Sequence, residues 1–202
     1  MIFDCSNLIT EGINKHCETI NAPIGVEKDL LLVNYDDFDF TSTFAPTNIV
    51  DDPDPDAPLG ELGNPVGLKA IYLKPDVTPF VFAGTDYSVN PTVTGEVKEN
   101  GDTWFIHSIQ FTVFNKSSKA RKTLETLSKG RVIAIAVDRS TGLYELFGAV
   151  IGLKITGLER AYTGSQNSNF YTVTIATPDI AVVREPSLGE LARNIQNSVL
   201  PS

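Results

Sequence analysis

The sequence predicts a mainly β protein with one or two α-helices. Three observations carry this. Apolar runs of strand length recur between glycines and prolines, which together number 27. Residues 103–114, TWFIHSIQFTVF, alternate: odd positions Phe105, Ile109, Phe111 and Val113 are apolar, His107 being the exception, while Ser108, Gln110 and Thr112 are polar. Such alternation means a strand with one face on a core and the other partly wet. Between that strand and the apolar run RVIAIAV at 131–137, Ala120, Leu124 and Leu127 recur at four and three residues, one face of a helix over 117–129.

In chain order, residues 1–29 are mixed in polarity and LLLVN at 30–34 reads as a short strand. Residues 35–65 are acidic and broken by proline and glycine, the pattern of a long loop or extended arm. Strands follow near 68–73, 80–83 and 92–98. Asn100-Gly101 is a hairpin signal joining the last of these to the long strand. Ser117 or Ser118 can cap the helix, and Gly130 sits where a left-handed residue ends one. RVIAIAV, apolar on both faces, is a covered central strand. LYELFGAVIGLKITGLE then reads as a long strand bent or bulged at Gly148 and Gly152. A polar loop over 162–169 precedes the alternating strand FYTVTIA. In the tail, Leu188, Leu191, Ala192, Ile195 and Val199 stand at helical spacing and predict a short amphipathic helix. The resulting division is an acidic arm and loop over 1–64, a β core over 65–180, and a tail with a short helix over 181–202.

Length and composition suit one well-filled core: 202 residues with 42% hydrophobic content exclude wholesale disorder. The formal charge of −9 is uneven. Residues 1–64 hold thirteen Asp/Glu against two Lys/Arg, whereas 116–131 hold six Lys/Arg against Glu125 alone. Such asymmetry suits an acidic arm of one copy meeting the basic helix of another through Lys119, Arg121 and Lys122. Two solvated faces without partners explain it equally well. The start of the chain has neither a basic region nor an apolar segment of the secretory kind, and no apolar run reaches membrane-spanning length. Cys5 and Cys17 allow one disulfide, with reduced thiols the default.

Catalytic constellations are missing from the pattern. His107 falls on the apolar face of a strand, His16-Cys17 lack a third partner at any nucleophile spacing, and no phosphate loop, dinucleotide fingerprint or G-x-S-x-G occurs. The chain is therefore expected to be no enzyme and to need no cofactor. Asp52, Asp54 and Asp56 are the candidate metal ligands, since alternate carboxylates can converge on calcium. Ala57 stands where that loop needs glycine, and Gly63 where it needs a bidentate glutamate. The basic helix carries no aromatic residue and the chain is acidic, which argues against sequence-specific nucleic-acid binding.

The order of pieces over 65–178 (the long strand TWFIHSIQFTVF, the helix KARKTLETLSKG, then GRVIAIAVDRSTGLYELFGAVIGLKIT, a polar loop and FYTVTIATPD) resembles the tail-tube-like structural proteins of tailed bacteriophages, of the crAss-like type. The resemblance implies a sandwich or small barrel with one flanking helix. It further implies a non-catalytic virion protein, assembled in the bacterial host cytoplasm into rings whose long strands join around a lumen for DNA. Ser108, Gln110 and Thr112 are then expected to face that lumen or an interface. Partners would be copies of the chain and neighbouring tail or connector proteins, with DNA passing non-specifically and no membrane. A β-sandwich module binding a glycan or peptide is the alternative, served by Tyr144, Tyr162, Phe170 and Tyr171 if exposed.

Overall fold

The structure is a computed structural model and describes residues 29–50, 67–84, 88–115, 117–137, 143–160, 170–178, 184–186 and 188–196. The strands are β1 (Asp29–Asn34), β2 (Leu68–Tyr72), β3 (Phe80–Ala83), β4 (Val89–Val97), β5 (Thr103–Val113), β6 (Val132–Val137), β7 (Tyr144–Phe147), β8 (Lys154–Arg160), β9 (Tyr171–Ala176) and β10 (Glu190–Gln196). A one-turn helix α1 (Phe40–Thr43) follows β1, and α2 (Ser118–Leu127) lies between β5 and β6. The protein is mainly β, as the alternating runs predict. Six strands form one sheet in the order β2-β10-β7-β6-β1-β3, and four form another in the order β4-β5-β9-β8.

The six-stranded sheet curls on itself. Just past β1, Phe38 bridges Leu73, Asp39 N donates to Tyr72 O at 3.1 Å, and Lys74 N donates to Asp37 O at 3.0 Å. The chain leaving β1 thus meets the far edge of its own sheet, which removes part of an open edge. One apolar cluster fills the space so enclosed: Leu31 and Val33 of β1, Ile133 and Ile135 of β6, Leu146 of β7, Ala192 of β10 and Ile71 of β2, capped by Phe38. The alternate residues Leu30, Leu32 and Ala134 point the other way. They pack with Ile109, Phe111, Val173 and Ile175 of the four-stranded sheet and with Ala120, Leu124 and Leu127 of α2. Two cores therefore share one sheet, which is why β1 and β6 are apolar on both faces.

The helix has its expected face and start. Ser117 is the cap, its hydroxyl accepting from Ala120 N at 3.1 Å. Gly130 does not end it: Ser128 is the C-terminal cap, in right-handed conformation, with its N–H on Leu124 O and Thr126 O. The carbonyls are already satisfied there, so no left-handed residue is required at 130.

Three expectations are corrected. The tail forms no helix over 190–196; it forms β10, antiparallel to β7 and parallel to β2. Strand hydrogen bonds on both sides and burial of Ala192 outweigh a helical pattern already weakened by Gly189. The stretch 35–50 is not an extended arm. Asp39 caps α1 by accepting from Ser42 N at 3.0 Å, and Phe40 and Phe44 each stack tilted against Phe38. Asn48, buried, donates to Thr43 O and Ala70 O and accepts from Ala70 N, which rivets the segment to β2. Residues 51–66, the rest of the expected arm, lie outside the described residues. Finally, β1 and β10 fall outside the 65–180 expected for the core, yet both are internal strands of the larger sheet.

The run 143–160 is two strands in different sheets. The chain switches at a turn between Gly148 and Gly152, whose φ values are +71° and +80°. A Cβ at Gly148 would stand 2.6 Å from Leu153 Cγ, and one at Gly152 2.8 Å from the Tyr35 ring. Backbone conformation and space both demand glycine at these two points.

Candidate functional site

β5 presents the face that sequence alternation assigns to it. His107, Ile109, Phe111 and Val113 are buried, whereas Gln110 is exposed and Ser108 and Thr112 half-buried on the opposite face. Strand pairing extends that face sideways. Thr92 stands opposite Ser108 and Asn90 opposite Gln110 on β4, and Thr174 and Thr172 stand opposite Gln110 and Thr112 on β9. The result is a surface of hydroxyl and amide groups without a charge on β5 or β9. Among the described residues the charges on this side lie towards its margins: Lys154 and Glu159 on β8, Glu96 on β4, held by Arg184 at 2.7 Å, and Lys98 just past β4, over the Trp104 ring at 4.1 Å. Neutral groups of this kind hydrogen-bond water and passing polar surfaces. They offer phosphates no strong, salt-dependent attraction.

Both outer strands of this sheet lack a neighbour among the described residues. The hydrogen-bond phase of β4 follows from two contacts: Thr112 N donates to Ser88 O at 2.9 Å and Lys98 N to Asp102 O at 2.8 Å. Even-numbered residues of β4 therefore exchange backbone bonds with β5, and the odd ones, Pro91, Val93, Gly95 and Val97, direct theirs outward. By the same reasoning β9 turns its odd residues to β5, as Thr177 N on His107 O shows, and β8 directs Leu158 and Arg160 outward. Val97 is 74% exposed and Leu158 45%, so each outer edge carries a large apolar side chain that the other described residues leave uncovered.

The other expected site residues lie elsewhere. Lys119, Arg121 and Lys122 line the exposed side of α2, away from Ala120, Leu124 and Leu127, and do not join the polar face. Asp52, Asp54 and Asp56 lie outside the described residues, as do Cys5, Cys17 and His16. Among the described residues no three His, Cys, Asp or Glu are grouped to hold a metal ion. The aromatic rings considered for glycan binding are dispersed. Tyr171 is buried beneath Arg160, Tyr144 packs on the enclosed core, Phe170 stacks edge-on to Phe114, and Tyr162 lies outside the described residues.

One cluster was not foreseeable from sequence. Glu185 is buried, and its carboxylate accepts from Val150 N at 3.0 Å and Ile151 N at 2.8 Å, the tip of the turn between β7 and β8. His107 Nδ1 accepts from Gly148 N at 3.1 Å. Tyr35 donates its hydroxyl to Val150 O, and Arg131 lies over the Tyr35 ring at 4.4 Å and donates to Ile151 O. Glu185 also exchanges both backbone bonds with Phe105 of β5. The switch between sheets is thus clasped from four directions. Burial raises the Tyr35 pKa; Arg131 opposes this, and Glu185 and Asp36 add to it. No local motif could announce the clasp, because its members come from separate parts of the chain and hold the turn mainly through its backbone groups.

Comparison with protein-family models, curated proteins and solved structures finds no match.

Proposed function

We propose that the chain is a non-catalytic structural subunit of a tailed-phage virion, assembling into rings that form part of a tail or head-to-tail connection through which DNA passes. The observation that carries this reading is the four-stranded sheet: among the described residues both edges are unpaired and each bears an uncovered apolar residue, and one broad face is polar, without charge on its two middle strands. Its strands are all antiparallel and even in number, so β4 and β8 run in opposite directions. Laying β8 of one copy beside β4 of the next continues the antiparallel pattern without a break, and repetition about an axis closes a ring without free edges. Ser108, Gln110, Thr112 and their neighbours then line the lumen, where the uncharged middle strands β5 and β9 hold DNA only weakly and let it slide. The test is negative-stain microscopy and sedimentation velocity of the purified chain, alone and as Val97→Glu and Leu158→Glu variants. Rings from the wild type and monomers from both variants are expected. A folded wild type that stays monomeric at high concentration would overturn the reading.

A further inference from the structure

Pro91 occupies an outward rung of β4. The alternation fixed by Ser88–Thr112 at one end and Lys98–Asp102 at the other places residue 91 among the odd positions, whose backbone groups point away from β5. Proline has no N–H to offer there, so its presence costs β4 nothing in its bonding to β5, and that is where strands tolerate it. To a strand arriving from outside, the same residue is an interruption. Beyond it, Val93, Gly95 and Val97 present three successive outward rungs with both donor and acceptor. Before it, only Val89 remains, and Val89 is buried.

We propose that Pro91 sets the register of strand addition on this edge, confining β8 of a neighbouring copy to the rungs at Val93, Gly95 and Val97. The inference rests on the ring reading above and adds to it the residue that fixes where copies join. Register needs such a device here. The outer face bears similar neutral side chains at successive positions, Thr92 and Thr94, so side-chain pattern alone discriminates poorly between slips of two residues. In every register that differs by two residues, the uncovered Val97 and Leu158 fall on the same face of the joined sheet, since their strand partners Thr103 and Val173 both lie on the core side; the face therefore selects no register by itself.

The test compares wild type, Pro91→Thr and Val93→Pro by sedimentation velocity, negative stain and hydrogen exchange, each variant first checked for an unchanged monomer circular dichroism spectrum. The wild type is expected to give one ring size, with exchange at Val93, Gly95 and Val97 slowed on assembly. Pro91→Thr should still assemble but give more than one ring size, with protection spreading to the new amide at position 91. Val93→Pro, whose missing donor also points outward, should fold and lose assembly. If wild type and Pro91→Thr give the same single ring size and the same exchange footprint, the register role is overturned while the ring reading stands. If wild type forms rings without slowing exchange at Val93, Gly95 or Val97, copies join elsewhere. A wild type that forms no rings overturns both.

Discussion

At the scale of single residues, the two faces of β5 give the sharpest contrast. Ile109 is fully buried between the sheets and Gln110 is exposed, although they are neighbours in sequence. Ile109→Lys buries an unpaired charge and is expected to cost on the order of 3 kcal/mol or more, whereas Gln110→Lys should leave the melting temperature nearly unchanged. Thermal denaturation of the two variants checks the register directly. Two titrating groups add pH dependence. The Asp39 carboxylate is held below its ordinary range, chiefly by the Ser42 hydroxyl and then by Ser42 N–H. A lowered folded value means that its contribution is present above about pH 4 and is lost as the pH falls through the folded value. Asp39→Ala should therefore cost about 0.5–1 kcal/mol near neutrality and flatten the acid limb of the stability curve. Tyr35 behaves oppositely. Its raised value preserves stability below about pH 10, and that stability is lost as pH rises toward the folded value. Tyr35→Phe should remove this alkaline loss while forfeiting about 1 kcal/mol from the hydroxyl bond to Val150 O. Urea denaturation across the pH range measures both.

At the scale of elements, most strands were legible because their burial is periodic. β5 and β9 alternate cleanly, β6 is apolar throughout, and Asn100-Gly101 marks the hairpin, with Gly101 at φ +88°. The polar face was legible in part for the same reason: Ser108, Gln110 and Thr112 declare themselves by alternation, but Asn90, Thr92, Thr172 and Thr174 join them only through pairing register. β10 was not legible. Its side chains sit on a strand flanked on both sides, where long-range hydrogen bonds decide the conformation and the apolar spacing happens to suit a helix. The acidic composition of 35–50 likewise concealed three aromatic anchors and the buried Asn48. The turn between β7 and β8 announced its glycines but not what clasps them. Glu185→Gln leaves Val150 and Ile151 N–H with a neutral acceptor in place of a charged one, and is expected to cost about 1–2 kcal/mol. Gly148→Ala adds steric conflict with Leu153 to a left-handed backbone and should cost more. Chemical denaturation ranks them.

At the scale of the whole molecule, charge is segregated between the acidic stretch ending near residue 61 and the exposed side of α2. If these meet between copies, each pair contributes little, about 0–1 kcal/mol, but several act together. Screening lengths fall from about 10 Å at 0.1 M salt to about 3 Å at 1 M. Assembly is then expected to weaken with salt, and Arg121→Glu with Lys122→Glu to weaken it further without loss of fold. Sedimentation velocity at the two salt concentrations reads the difference; indifference to both would assign assembly to the open sheet edges alone.

The internal position of β10 also has a consequence for how the chain reaches its fold. Leu68 on β2 pairs with Ile49 on one side, but its partner on the other is Ala192, and β7 is likewise lined by residues 190–192. β1, near the other end of the described chain, must wait for β6. A ribosome therefore has to synthesise past β10 before the larger sheet can close, and until then β2 and β7 each leave an edge unpaired. Contacts so distant in sequence make folding slow and leave incomplete chains prone to pairing with one another. If copies join edge to edge as proposed, the interval between synthesis and closure is when the wrong edges compete with the right ones.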